Sequence, residues 1–345
     1  MSSHAAEPSI GVIVPNWNDA RYLPRCLRSV LEQAVPPDQL IIVDDHSTDD
    51  SVRVVQEAIR GCAFAQLIVN PVNLGTNGAL NEGLRRAQSD YVLFLASNDF
   101  VLPGIFERAK ACFARSPGIG LWSAMAWLVD EADRPISLHP SPVIALRDSS
   151  FDAERCVRLA HRFGNWFTGT TLIYQREALR AAGGFDPAYG GLSDLITALI
   201  VASRFGAGFS PEPLAAIRVH AGSFLSGTLK DLDRLDRTLE RLSERGPALS
   251  PRLFTPLFLA RTALRFRFAA IRACGGAAMG AIAEQTTGGQ RMMMRGLHRA
   301  LPLGWRRWRI LVSFLVLRPF DIVPTAVNRV IGWAIVRVRS RPRVS

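Results

Sequence analysis

The first run of apolar positions, Ile10 to Val14, is short, continuous and stopped by Pro15, the pattern of a strand buried on both faces. Leu23, Cys26, Leu27, Val30 and Leu31 then recur at three- and four-residue spacing, which predicts an amphipathic helix. A second buried strand is expected at Leu40 to Val43. It runs into the polar string Asp44-Asp45-His46-Ser47-Thr48-Asp49, which offers several N-caps for a helix carrying Val52, Val55 and Ile59. A third strand is predicted at Leu67 to Val69, then a loop at Asn73-Leu74-Gly75 and a helix with Leu80, Leu84 and Ala87 on one face. The fourth, Tyr91 to Leu95, ends in Ala96-Ser97-Asn98-Asp99.

Strands alternating with helices at this spacing predict an α/β fold built on a parallel, doubly wound sheet. In such sheets ligands sit beyond the carboxyl ends of the strands. Three of the four strands deliver polar residues there: Asn16 and Asn18, Asp44 and Asp45, Asn98 and Asp99. Each of these, taken singly, could equally be a helix cap; their convergence is what points to a site. No GxGxxG follows the first strand and no GxxxxGK[ST] occurs, which excludes dinucleotide and P-loop modes of holding phosphate. A carboxylate-held divalent cation is the obvious remaining way to neutralise a ligand's phosphates.

With 345 residues, 48% hydrophobic and 21% charged, the chain can bury a full core, so global disorder is excluded. Five scattered cysteines with no CxxC pair argue against a disulfide framework or a structural zinc site, as suits a reducing cytosol. Met1 to Pro8 lack a basic-then-apolar order, so no signal peptide is expected. The net charge of +11 is unevenly spread: residues 251–345 hold 17 arginines, no lysine and two acids, Glu284 and Asp321. The remainder is mildly acidic.

Several pieces, in order, resemble family 2 glycosyltransferases. They are Ile13 to Asn18, Leu27 to Gln33, Ile42 to Asp49, Asn73-Leu74-Gly75 with Asn81 to Leu84, and Phe94 to Asp99 with Leu102-Pro103-Gly104. Gly169 to Leu172, Glu177 to Phe185, Asp194, Pro211 to Leu214 and Arg218-Val219-His220 continue the series, so the resemblance covers about residues 9–225. It implies a GT-A type fold, a doubly wound mixed sheet flanked by helices, here with a basic helical C-terminal extension. The division expected is a GT-A domain at 1–228, a charged helical linker at 229–250 and a basic amphipathic tail at 251–345. The implied reaction is transfer of a sugar from a nucleotide diphosphate sugar to an acceptor hydroxyl with inversion, uridine being the family's commonest base.

Carried over position by position, Pro15 and Trp17 would edge the nucleoside pocket, Trp17 as a flat ring for the base unless it is a core tryptophan. Asp45 would accept a hydrogen bond from the base N–H, with Asp44 beside it orienting the loop or joining the nucleotide site. Asn98 and Asp99 fall where the family keeps its DxD-like pair. Asp99 would hold Mg²⁺ or Mn²⁺ against the diphosphate, while Asn98 supplies an amide, a weaker ligand than carboxylate. His220 is a further ligand to metal or diphosphate, or a loop hydrogen-bonder. Asp194, the sole acid between Asp186 and Glu212, would be the catalytic base, unless it is merely a charge favoured by a helix N-terminus. In many relatives Glu precedes it; here Ser193 does. The turn from Trp166 to Thr171 would line the acceptor or sugar pocket.

The alternation of acids and arginines from Leu229 to Arg245 predicts a solvated helix or linker. Beyond Pro251, arginine interleaves with Leu, Phe and Trp, and no run reaches the ~18 apolar residues a spanning helix needs. That pattern suits helices lying on an anionic membrane surface. It implies a cytoplasmic protein, peripheral at the inner face of the cell membrane, acting on a lipid-linked acceptor or polysaccharide precursor. A partner-binding helical bundle is the competing reading; a nucleic-acid arm fits poorly with so much Leu, Ile and Val. Two other functions also stay open, a catalytically weak sugar-nucleotide binding module and a membrane scaffold.

Overall fold

The computed structural model describes residues 7–219 and 231–274, together with Val330. The expected strand and helix series opens it. β1 (Ile10–Asn16) is followed by α1 (Leu23–Leu31), β2 (Gln39–Asp44), α2 (Ser51–Ala58), β3 (Ala65–Val69), α3 (Gly75–Arg86) and β4 (Tyr91–Phe94). Then come β5 (Phe100–Val101), α4 (Ile105–Arg115), β6 (Leu121–Val129), β7 (Pro135–Leu138), β8 (Ser149–Phe151) and α5 (Ala153–Phe163). The remaining elements are β9 (Ile173–Gln175), α6 (Arg176–Ala181), α7 (Ser193–Phe205), β10 (Ala207–Arg218), α8 (Leu232–Leu249) and α9 (Pro256–Cys274).

The strands form one sheet in the order β3-β2-β1-β4-β9-β6-β10-β5, with β7 on β6 and β8 on β10. The first four are parallel, as their crossover helices require. β9 then runs antiparallel to both β4 and β6, which makes the sheet mixed.

Period-two alternation sends side chains to two cores. Ile10, Val12 and Val14 pack with α1 and with Phe106 and Phe113 of α4. Ile13, on the other face, joins Leu80 and Leu84 of α3 and the apolar faces of α5 and α7. Gly83 lets α3 close on β1, since a Cβ there would lie 2.4 Å from Ile13 Cγ2. Gly83→Ala is therefore expected to destabilise the fold by about 1–3 kcal/mol, read as a lowered midpoint in thermal unfolding, because the added carbon would overlap Ile13, itself fully buried in the core.

The charged helix α8 is solvated on its outer face only. Leu235, Leu239 and Leu242 are buried in the same core as α7, and Asp231 caps its N-terminus by accepting from Arg234 N at 2.9 Å. The basic stretch starts against this body too: Leu253, Phe254 and Phe258 are buried, and Arg267 Nη2 lies 2.9 Å from Asp236. Among the described residues no helix is long and apolar enough to cross a membrane.

Candidate active site

Each parallel strand hands its chain to a loop at the same edge of the sheet. The loop after β4 curls because Asp99 N bonds back to Ala96 O, and β5 then pairs with Ala215 and Ala216 of β10. That pairing brings Arg218 to Asp99. Asp99 Oδ1 accepts from Arg218 N at 2.9 Å, and its Oδ2 accepts from Thr170 Oγ1 at 2.7 Å. Burial pushes its pKa up to about 6, against the pull of those two bonds and of the Arg218 charge. The Arg218 guanidinium is itself buried, stacked over Tyr22 and Phe100, paired with Asp133, and donating to Asn98 O.

Asp194 enters from the first turn of α7, where Leu195 N donates to its Oδ1 at 2.8 Å and Tyr174 Oη donates to its backbone oxygen at 3.2 Å. A helix N-terminus lowers a carboxylate's pKa; here desolvation outweighs it and raises the value to about 6. Its Oδ2 lies against Gly169, where a Cβ would come within 2.8 Å. Asp99 and Asp194, 95 positions apart in sequence, line one cavity of about 230 Å³ whose walls include Pro15, Asn77, Thr170 and Gly191.

The nucleoside-side residues divide. Trp17 is 56% exposed, so it is no core tryptophan and its ring is accessible to a ligand. Asp45 accepts from Asn70 Nδ2 at 2.8 Å and Leu74 N at 2.9 Å through Oδ1, leaving Oδ2 without a partner among the described residues. Asp44 departs from the nucleotide-contact expectation. It is fully buried and does not line the cavity; Asn16 Nδ2 donates to its Oδ2 at 2.8 Å and Ser47 N to its Oδ1 at 2.9 Å, so it organises the loop and presents no surface to a ligand. Asn98 does not line the cavity; its backbone carbonyl anchors Arg218. His220 lies outside the described residues.

Thr170, Asn77 and the Gly190-Gly191 pair were not singled out by sequence reasoning as individual site residues. Asn77 Nδ2 donates to Gly190 O at 3.4 Å, and Gly190 adopts a φ of 51°, which favours glycine. A Gly-Gly pair just before a helix was the available signal for that wall.

No group of three or more His, Cys, Asp or Glu that could hold a metal ion occurs among the described residues. Asp99 nonetheless fits a hard cation held largely by a ligand's own phosphates. Each of its oxygens accepts one bond and keeps a lone pair, and it faces the cavity.

Residues 11–117 match the sequence profile described as Glycosyl transferase family 2. An uncharacterized glycosyltransferase of Nostoc sp. is 31% identical over 181 residues, 52% of this chain and 54% of that protein. The chain spans about half or less of the length of the curated relatives it matches. Among solved structures, the chain is similar to the mannosyltransferase PcManGT from Pyrobaculum calidifontis in complex with GDP-Man and Mn²⁺. The TM-score is 0.57 at 21% identity, covering 94% of this chain and 88% of that one. It is also similar to S. aureus TarS 1–349 in complex with UDP-GlcNAc, with a TM-score of 0.52 at 17% identity over 89% and 90% of the two chains. These likenesses show a GT-A type fold, and the family 2 profile matches its first part, from β1 to just beyond α4.

Proposed function

We propose that this chain transfers a sugar from a nucleoside diphosphate sugar to an acceptor hydroxyl, with inversion at the sugar's C1. The observation that carries the reading is the convergence of Asp99 and Asp194 on one cavity. Asp194 takes the acceptor O–H proton as that oxygen bonds to C1. The bond from C1 to the phosphate oxygen breaks, and the diphosphate leaves with its electron pair. A pKa of about 6 suits a base at neutral pH, ionised yet basic enough to take a proton. One base and one displacement give inversion.

Asp99 would hold Mg²⁺ or Mn²⁺ at the donor's diphosphate, and the cation, when bound, would offset the charge growing on the leaving group. The related mannosyltransferase structure contains both GDP-Man and Mn²⁺, which supports this cofactor. Pro15, Trp17 and Asp45 Oδ2 form the nucleoside side. Trp17→Ala is expected to weaken nucleoside diphosphate binding by about 1–3 kcal/mol, measurable by calorimetry, because a stacked ring is lost and no core residue is removed.

The acceptor is lipid-linked or a polysaccharide precursor, met at an anionic membrane surface through the basic stretch. The support is the 17 arginines against two acids in residues 251–345. The full chain is then expected to sediment with anionic vesicles at low salt, to be released by high salt, and to ignore neutral ones. Incubation with UDP-, GDP- and dTDP-sugars plus membrane lipid extract tests the reaction. Labelled sugar passing from one donor into the lipid or polymer fraction supports it; absence of transfer from all three counts against it.

A further inference from the structure

The turn Gly169-Thr170-Thr171 touches both carboxylates, and its three residues have three separate contacts. Thr171 points down. Its Oγ1 accepts from Ala124 N at 2.9 Å, lies 2.9 Å from the carbonyl oxygens of Ala124 and Thr168, and is 3.1 Å from Ser123 Oγ. Ser123 Oγ also accepts from Thr168 N at 3.3 Å. Thr168, Thr171 and Ser123 have no solvent exposure, so these bonds sit in a dry interior where they are strong and costly to break. The turn is thereby fixed to β6, in the middle of the sheet.

Thr170 points toward Asp99 and donates to it at 2.7 Å. Arg218 N holds the other oxygen, so the carboxylate is clamped and the directions of its remaining lone pairs are set. Gly169 faces Asp194, whose Oδ2 occupies the space that any Cβ would claim.

We propose that this turn is a spacer setting the two carboxylates relative to each other, with Thr170 the positioning residue for Asp99 and Gly169 the positioning residue for Asp194. The proposal rests on the donor and base roles given above. It assigns the two halves of the reaction to adjacent residues: Thr170 governs the donor's diphosphate end, and Gly169 governs the base. A misplacement of about 1 Å at a reacting group costs on the order of a hundredfold in rate, which is why a rigid turn matters here.

The test compares full-length wild type with Thr170→Val, Thr170→Ser and Gly169→Ala. Three readouts are taken: calorimetric Kd for UDP, GDP and dTDP with Mn²⁺, slow hydrolysis of the matching donor sugar, and crystal structures. Thr170→Val is expected to raise the nucleotide Kd about tenfold or more, through loss of a hydrogen bond to a charged group, while Thr170→Ser restores it. Gly169→Ala is expected to leave Kd within about twofold and to lower hydrolysis about tenfold or more. In the crystals, Thr170→Val turns the Asp99 carboxylate and leaves Asp194 in place, whereas Gly169→Ala shifts Asp194 and leaves Asp99. Unmoved carboxylates, or equal losses of binding and turnover in both variants, would overturn the spacer. Wild type that binds none of the three nucleotides would defeat the donor reading instead, and the carboxylate positions in the crystals would still decide the spacer.

Discussion

Asp194→Asn is expected to bind donor nucleotide as the wild type does and to transfer sugar at least about a hundredfold more slowly, as loss of a general base dictates. The amide keeps the shape beside Gly169 and can still accept from Leu195 N, so the cavity survives and only the proton acceptor disappears. In the wild type, the rate should rise with pH through about 6 and then level, since the base must be ionised. The same substitution carries a stability signature of opposite sign. The folded state raises this carboxyl from 3.8 to about 6, so it holds the proton more tightly than the unfolded chain does. Its contribution is fully present below pH 3.8 and is lost as pH rises through about 6. Asp194→Asn should therefore raise the thermal midpoint near pH 7.5, and the gain should vanish below pH 4. A rate unchanged by the substitution would remove Asp194 from the chemistry.

Asp99→Ala is expected to weaken Mn²⁺-dependent nucleotide binding by about a hundredfold, roughly 2.7 kcal/mol, and to abolish the difference between titrations with and without the metal. The side chain is one of the two carboxylates lining the cavity among the described residues, and its removal also strips Thr170 Oγ1 and Arg218 N of their acceptor. Some of the loss will therefore come from loosening of the 168–171 turn. Asp99→Asn separates the effects, because an amide oxygen can still accept one of these bonds while the charge is gone. Metal dependence that persists in Asp99→Ala would place the cation elsewhere.

The first four strands and their helices were legible because local pattern and tertiary role agree. β1, β2 and β4 are parallel and interior to the sheet, so they read as buried apolar runs, and the edge strand β3 was still marked by Leu67 to Val69. The second half was harder for identifiable reasons. β5 and β9 span two and three residues, too short to show a period. β10 carries Pro211 and Pro213, which argue against an internal strand. The structure accommodates them at register shifts between Ser210 and Ala215, between the segments paired to β8 and β5. The helix α8 read as solvated because leucines at 235, 239 and 242 are outnumbered by charges, although they are buried in the core.

The site shows the same division. Asp99 and Asp194 were marked by position, and the structure brings both to the cavity. Asp44 and Asp45 look equivalent in sequence, but only the three-dimensional surroundings tell them apart: Asp44 is fully buried with both oxygens bonded by Asn16 and Ser47, while Asp45 keeps an oxygen without a partner among the described residues. Thr170 was hidden because a threonine in a small-residue turn carries no signal until Asp99, 71 positions away, is seen beside it.

The most direct test of the central claim is calorimetric titration of the full chain with UDP, GDP and dTDP, each with and without Mn²⁺. The expected result is binding of one nucleotide that strengthens with Mn²⁺ in wild type and not in Asp99→Ala. Absence of binding to all three, or binding indifferent to both the metal and Asp99, would contradict a donor site built on this cavity.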